Sequence, residues 1–355
     1  MKKSLKWIIA GGAVGVLALA SFGFWARGGS EGPMSLSVGT CETDTEIPAK
    51  TRALYDAAAT HFIEAMMKSD IAGAYATFST RAKSSMSPEK FAQNMAPIGA
   101  VLSSMKPPQV AHSYYLTTAA IGDADKIVPC TIVAAGLTAT PDGSVFVAEK
   151  PIPEQAHILV TAALGDDALT FVLWVVTEDG AQHIEAMNIS QTTMAGKSAN
   201  DLLTMARTEK SKDHGFNAAI LYAGAGQLAY RSPTFRLGIS TVIQDELKTL
   251  KLPPELQGKP PFAWEFQGDH FNVLAVGTLG IDGKLGLGIR QQLSPFPGDD
   301  NEADARNRLL IRRLIAAYPD VAAQFRSIAV EIVDETGERG FRTIYDPEKA
   351  PALTP

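Results

Sequence analysis

The chain has 355 residues, of which 46% are hydrophobic and 20% are charged, a composition typical of a folded protein and not of a disordered one. Its net charge is −6; because residues 1–27 carry four positive charges and no acid, the rest of the chain has a net charge of −10. An acidic body repels phosphate backbones, so the charge argues against nucleic acid as a partner. The length allows two domains.

An uncharged apolar run stands near the start of the sequence, from Trp7 to Ala26. A helix of this length reaches about 30 Å, the thickness of the hydrocarbon core of a bilayer. Three lysines precede the run and only Arg27 follows it, so the positive-inside rule places the N-terminus in the cytoplasm. The sequence therefore predicts a single-pass protein of a bacterial inner membrane, held there by its N-terminal helix, with its body in the periplasm.

A cleaved signal peptide is the alternative for the same segment. Residues 18–20 read Ala-Leu-Ala and are followed by Ser21, which fits the small-residue rule for cleavage. Cleavage would release the body into the periplasm, so both alternatives predict the same compartment. Disulfides form in that compartment, and Cys41 and Cys130 are the two cysteines of the chain. They are either bridged to each other or two separate buried thiols.

The next part of the chain predicts a linker, then helices, then strands. Residues 28–49 are rich in glycine, serine and threonine, which predicts a linker. In residues 50–105 apolar side chains recur every four positions, which predicts helices. Alternating apolar patterns between Gly-Asp turns then predict strands. These strands are expected at 110–120, 127–137, 144–148, 155–164, 168–177 and 181–189.

The order of these elements, together with the stretches 70–95 and 174–189, resembles the nuclear-transport-factor-two-like cone fold. The resemblance covers residues 50–195 and implies a domain, 50–196, in which helices pack on a curved antiparallel sheet. One face of such a sheet lines a cavity. The resemblance implies a ligand pocket there, formed by Tyr75, Trp174, His183 and Glu185.

Within this pocket His183 and Glu185 are two apart on one strand and share a face, which makes them the acid–base pair of an enzymatic alternative. A solvent-facing polar pair is the other interpretation. The cone fold is found in enzymes, ligand binders and assembly modules alike, so it assigns no activity by itself.

A helical connector is predicted at 197–252, with helices at 200–212, 216–230 and 235–250. The first two resemble a single tetratricopeptide hairpin, and a single repeat cannot stack into a solenoid. The connector therefore predicts a docking surface or a spacer.

The last domain, 253–346, predicts two hairpins on either side of one helix, a ββαββ order. The strands are expected at 271–278, 284–293, 327–334 and 340–345, the helix at 302–318, and a loose tail at 347–355. Four arginines of this helix could bind an acidic partner surface or a phosphate, or could form an ordinary solvated face. They are Arg306, Arg308, Arg312 and Arg313.

No motif identifies a reaction. The G-x-S-x-G match at 28–32 lacks the strand and helix that a nucleophile elbow needs, and six histidines are spread along the chain without metal-site spacing. The sequence therefore predicts no catalytic residue, no metal and no cofactor. Overall it predicts an α+β protein of the bacterial envelope that binds another protein. The alternatives are a small-molecule binder and an enzyme, each using the cone pocket.

Overall fold

The computed structural model describes residues 39–118, 126–130, 144–148 and 152–346. The predicted membrane segment 1–27, the first part of the linker and the tail 347–355 lie outside the described residues. Within the described ranges, none of the helices combines the length and the apolar character needed to cross a bilayer.

The secondary structure alternates between helical and strand-rich parts. The helices are α1 (Ala49–Met67), α2 (Ile71–Ala76), α3 (Thr80–Ser85), α4 (Pro88–Met95), α5 (Gly99–Leu102), α6 (Ala199–Ser211), α7 (Gly215–Ala229), α8 (Gly238–Lys248), α9 (Asp300–Ala317) and α10 (Asp320–Gln324). The strands are β1 (Gly39–Thr43), β2 (Gln109–Thr118), β3 (Lys126–Cys130), β4 (Ser144–Ala148), β5 (Glu154–Leu164), β6 (Asp167–Glu178), β7 (Ala181–Gln191), β8 (Thr193–Met194), β9 (Lys197–Ser198), β10 (Phe235–Arg236), β11 (Phe262–Phe266), β12 (Asp269–Ile281), β13 (Lys284–Gln292), β14 (Ile328–Val333) and β15 (Gly340–Tyr345).

The protein is thus of the mixed α+β class, and it divides into two compact units. The described residues of Ser30–Thr193 and Leu228–Val242 form the N-terminal unit, and those of Met194–Gln227 and Ile243–Pro355 form the C-terminal unit. The predicted connector 197–252 is therefore shared, because residues 228–242 group with the N-terminal unit.

The N-terminal unit is built on a five-stranded antiparallel sheet of order β1-β2-β5-β6-β7. Helix α1 lies on one face, where Tyr55 Oη is 2.7 Å from Thr177 Oγ1 of β6. Phe62 and Ile63 of the same helix are completely buried. Residues 169–176 of β6 are buried without a break, so the opposite face of the sheet is also covered.

A three-stranded sheet of order β10-β4-β3 belongs to the same unit. Cys130 of β3 and Phe235 of β10 join a buried cluster with Tyr114, Leu159 and Val172 of the large sheet. A disulfide links Cys41 in β1 to Cys130 in β3, with the Cα atoms 5.3 Å apart. The two cysteines are therefore bridged, and the bridge joins the small sheet to the large one.

Pairing with distant strands changes the expected structure of two segments. Residues 39–43, expected in the linker, form β1 and pair with β2. Phe235, expected to begin a helix, pairs with Phe146 of β4, and α8 begins only at Gly238. In both cases pairing with a strand distant in sequence overrides the local pattern.

The C-terminal unit contains a five-stranded sheet of order β11-β12-β13-β14-β15, with a parallel pair at β13–β14. Helix α9 packs on one face, where the buried Asn307 accepts a hydrogen bond from Gln291 Nε2 at 2.9 Å and donates one to Thr343 Oγ1 at 3.2 Å. The expected ββαββ elements are present, but β11 adds an edge strand that was not expected. Phe262, Trp264 and Phe266 alternate as its buried residues.

We expect removal of the disulfide to destabilise the N-terminal unit. The bridge spans a sequence separation of 89 residues, for which the chain-entropy model gives a stabilisation of about 4–5 kcal/mol. Urea denaturation of the Cys41→Ser, Cys130→Ser double variant would measure the loss. Adding a reductant should destabilise the native protein to a similar extent and leave the variant unchanged. An unchanged urea midpoint for the reduced native protein would contradict the expectation.

Candidate functional site

A groove of about 720 Å³ opens on the C-terminal unit. Strands β11 and β12 bring its aromatic residues together, because Trp264 and Phe271 are directly opposite in register. The groove mixes these rings with charged and amide side chains. It is lined by Ala263, Trp264, Glu265, His270, Phe271, Asn272, Gln292, Leu293, Ser294, Arg306 and Glu335.

Arg306 is the one lining residue of this groove that was also predicted to bind a partner. Its guanidinium carbon lies 4.3 Å from the centre of the Phe271 ring, within the range of a cation–π contact. One terminal nitrogen donates a hydrogen bond to the His270 carbonyl. Its buried Nε has no hydrogen-bond partner among the described residues. The backbone and the ring therefore orient the cation, and no acidic side chain among the described residues forms an ion pair with it.

The other three predicted arginines of α9 do not line this groove. Arg308 Nε pairs with Asp304 at 2.6 Å, one turn away on its own helix. Arg313 Nε pairs with Asp269 at 2.7 Å. Arg312 is exposed. The helix therefore does not present its four arginines as one basic patch.

In the N-terminal unit, two of the predicted pocket residues lie together. The Arg81 guanidinium carbon is 5.3 Å from the centre of the Trp174 ring, and its Nε is 2.5 Å from Glu185 Oε1. Glu185 also accepts a hydrogen bond from Ser79 Oγ at 2.6 Å, and its side chain is only 7% exposed. The carboxylate is held in an ion pair, which is a poor arrangement for a general base.

Of the remaining two predicted pocket residues, Tyr75 lies in the helical layer and His183 lies on β7. Tyr75 packs against Phe78 and Phe91 in the helical layer and donates a hydrogen bond to the Met86 carbonyl. His183 is opposite Val176 in register. Its Nδ1, like Nε1 of Trp174, is buried without a hydrogen-bond partner in the part of the chain that the structure describes.

His157, which sequence analysis did not select, is at the centre of an aromatic stack in this unit. It is fully buried, with ring centroids 5.7 Å from Trp174 and 6.0 Å from Phe235. Burial lowers the pKa of His157 to about 3, because an apolar environment disfavours the charged imidazolium. The imidazole is therefore neutral at physiological pH.

A second group that sequence analysis missed lies within the C-terminal unit. Glu209 near the end of α6, His214 before α7 and Asp320 of α10 place donor atoms within 4.8 Å of one another. His214 Nδ1 is 2.9 Å from Glu209 Oε2 and 3.9 Å from Asp320 Oδ2. Asn217 Nδ2 donates to Glu209 Oε2 at 3.0 Å and to Asp320 Oδ2 at 2.8 Å.

Lys212 completes this group, with its Nζ 2.8 Å from Glu209 Oε1. Burial raises the pKa of the Glu209 carboxyl, but hydrogen bonds from Lys212, Asn217 and His214 outweigh it and hold the pKa below its usual value. The group is therefore anionic. No local sequence pattern could have found it, because Asn217 and Asp320 are 103 residues apart.

We expect the N-terminal unit to lose stability in mild acid because of His157. The unfolded chain binds a proton below about pH 6.5, whereas the folded unit resists protonation down to a pKa of about 3. The contribution of neutral His157 to the free energy of unfolding is therefore fully present above pH 6.5. Below that pH the free energy of unfolding falls by about 1.4 kcal/mol per pH unit, which amounts to about 2 kcal/mol by pH 5. The protein would be unfolded in urea at each pH and then pulse-labelled by hydrogen exchange, with every pulse at the same pH. The urea midpoint read from the peptides that contain β5 and β6 would measure the loss.

The matched variants are His157→Phe, which keeps an aromatic ring, and His270→Phe, which changes an exposed histidine. Only the first should flatten the dependence between pH 6.5 and pH 5. An unaltered slope in His157→Phe would show that another group causes the loss.

Comparison of the chain with protein-family models, with curated proteins and with solved structures found no match. What the protein does must therefore be inferred from its own residues.

Proposed function

We propose that this is a bacterial envelope protein that is tethered to the inner membrane by its N-terminal segment and binds another protein in the periplasm. The observation that carries the proposal is the bridge between Cys41 and Cys130. Structural disulfides persist in oxidising compartments and are rare in the cytosol. The bridge thus supports the compartment for which the apolar run and the preceding lysines argue independently. If the run is instead a signal peptide that is cleaved off, the body is released into the same compartment.

We also propose that the N-terminal unit is related to the nuclear-transport-factor-two-like cone fold. The support is the order of its elements, in which α1–α5 precede the antiparallel strands β2, β5, β6 and β7 and α1 packs on the sheet. The tetratricopeptide-like hairpin remains a proposal for α6 and α7, which follow each other after three residues.

The groove around Arg306 is the proposed partner-binding surface. Interfaces are enriched in arginine and aromatic residues. Here an arginine that has no acidic partner in the described part of the chain lies over a phenylalanine ring. The enzymatic alternative needs an available acid or base. It is less well supported, because the carboxylate of Glu185 is held in an ion pair with Arg81. The groove volume of about 720 Å³ is also that of small-molecule sites, so a small ligand in this groove is the second candidate.

The compartment can be tested with a reporter that is active only outside the cytoplasm, fused after Pro355. We expect activity from the full chain, and loss of activity when residues 1–27 are deleted. A second reporter, which is active only in the cytoplasm, should be silent when it is fused at the same position. Activity of the cytoplasmic reporter would contradict the proposed topology.

Partner binding can be tested by placing a photo-crosslinking residue at Asn272 or Glu335, in the groove, and at the exposed Lys248, outside it. In intact cells we expect one specific adduct from the two groove positions and none from position 248. Arg306→Gln should reduce the adduct about tenfold, which corresponds to the loss of an interface contact of about 1.4 kcal/mol.

Arg308→Gln is the matched control, because it neutralises an arginine of the same helix that does not line the groove. An adduct that is equally strong in both variants would show that Arg306 does not take part. A crosslink of the same strength from position 248 would show that the groove is not the binding surface.

A further inference from the structure

The group around Glu209 is stabilised by hydrogen bonds, but it also has the composition of a metal site. It combines two carboxylates with one imidazole, and its parts come from three separate segments of the C-terminal unit. Glu209 is 3% exposed, whereas the side chains of His214 and Asp320 are 35% and 21% exposed. An ion could therefore enter from the side of His214 and Asp320.

The buried amide of Asn217 is the second observation that points to a ligand here. Asn217 is completely buried, and its Nδ2 reaches both carboxylates. Its Oδ1 has no hydrogen-bond partner among the residues that the structure describes, although buried amide oxygens are almost always paired. A half-turn of the amide points this oxygen between the two carboxylates. It gives up the hydrogen bonds of Nδ2 to Glu209 Oε2, to Asp320 Oδ2 and to the Asp320 carbonyl, which the bound cation has to replace.

Two distances between donor atoms of the group lie near the value expected around a small tetrahedral ion. Bonds of about 2.0 Å to a tetrahedral ion separate its ligand atoms by roughly 3.3 Å. His214 Nδ1 is 2.9 Å from Glu209 Oε2 and 3.9 Å from Asp320 Oδ2, which brackets this value. Imidazole and carboxylate together suit Zn²⁺, whereas Ca²⁺ takes oxygen ligands only.

We propose that the C-terminal unit contains a Zn²⁺ site formed by Glu209 Oε2, His214 Nδ1 and Asp320 Oδ2, with Asn217 Oδ1 as the fourth ligand. The inference goes beyond the proposed partner binding and does not depend on it. Nδ1 binds the ion in the tautomer that carries its hydrogen on Nε2. The ion fastens the end of α6 and the start of α7 to α10, which is the arrangement of a structural site.

Lys212 weakens the binding of the ion in this arrangement. Its ammonium group pairs with the other oxygen of Glu209 and balances the carboxylate when the metal is absent. Two carboxylates and one ammonium leave a single negative charge for the ion to neutralise. Removing the ammonium therefore strengthens Zn²⁺ binding, whereas removing a ligand weakens it. These opposite effects separate a metal site from a group held by hydrogen bonds alone.

The experiment is isothermal titration of Zn²⁺ into the full chain, tag-free, in detergent and treated beforehand with chelator. We expect one saturable site per chain and no binding of Ca²⁺. Asp320→Asn and His214→Gln should each weaken Zn²⁺ binding by about 10- to 100-fold, and Lys212→Gln should strengthen it severalfold. Asp213→Asn, an exposed acid beside the group, should leave the affinity unchanged. Saturating Zn²⁺ should also raise the unfolding temperature of the chelated protein.

Glu209→Gln tests the buried ligand, but loss of a buried carboxylate can prevent folding. The variants of the two more exposed ligands, Asp320→Asn and His214→Gln, therefore decide the outcome. Circular dichroism first checks that both have native structure. Absence of a saturable site overturns the proposal. So does an affinity that stays the same in the folded Asp320→Asn and His214→Gln variants, because the ion would then be bound elsewhere. Equal binding of Ca²⁺ overturns the assignment to Zn²⁺.

Discussion

The large sheet of the N-terminal unit has to be covered on both faces, and the rest of that unit follows from this constraint. Its strand β6 is buried continuously over residues 169–176, so neither face of the strand can be left to water without exposing a row of large apolar side chains. Helix α1 covers one face. Phe235 and the disulfide-bonded Cys130 pack on the other, together with residues of the sheet itself.

This second cover explains why the N-terminal unit recruits a distant piece of the chain. Residues 228–242 begin at the end of α7 and belong to the N-terminal unit. Phe235 contributes a buried ring to that unit. The disulfide acts at the same layer, because it attaches the three-stranded sheet covalently to the edge strand β1. A segment with the composition of a linker thus became a strand through its partner and not through its own propensity.

Among the described residues of the C-terminal unit, five buried side-chain atoms have no hydrogen-bond partner, and two of them lie where function is proposed. Asn307 and Gln291 bond to each other under α9, which closes that network. Arg306, whose buried Nε has no partner among the residues that the structure describes, lies at the groove. Asn217, whose Oδ1 likewise has none there, lies at the anionic group of Glu209. Because a buried polar atom without a partner costs about 1–3 kcal/mol, such atoms identify positions where an additional ligand would be favourable.

The sequence alone determined the class of the protein and the order of most of its elements. Apolar periodicity extends over windows of about ten residues, and it predicted the strands near 155–164, 168–177 and 181–189 and the helix near 302–318, which the structure contains within a few residues. It overlooked β11, although the alternation of Phe262, Trp264 and Phe266 followed by Gln267-Gly268 was a usable signal. The apolar run at residues 7–26 also remains a property of the sequence, since it lies outside the described residues.

Only the tertiary structure decided which distant residues meet. It paired Cys41 with Cys130, brought Asp320 to Glu209 and His214, separated Tyr75 from Trp174, and divided the four arginines of α9 among different partners. The physical reason is that a contact between residues far apart in sequence is set by the packing of whole layers, whereas a local pattern reports only which face of its own helix or strand is apolar.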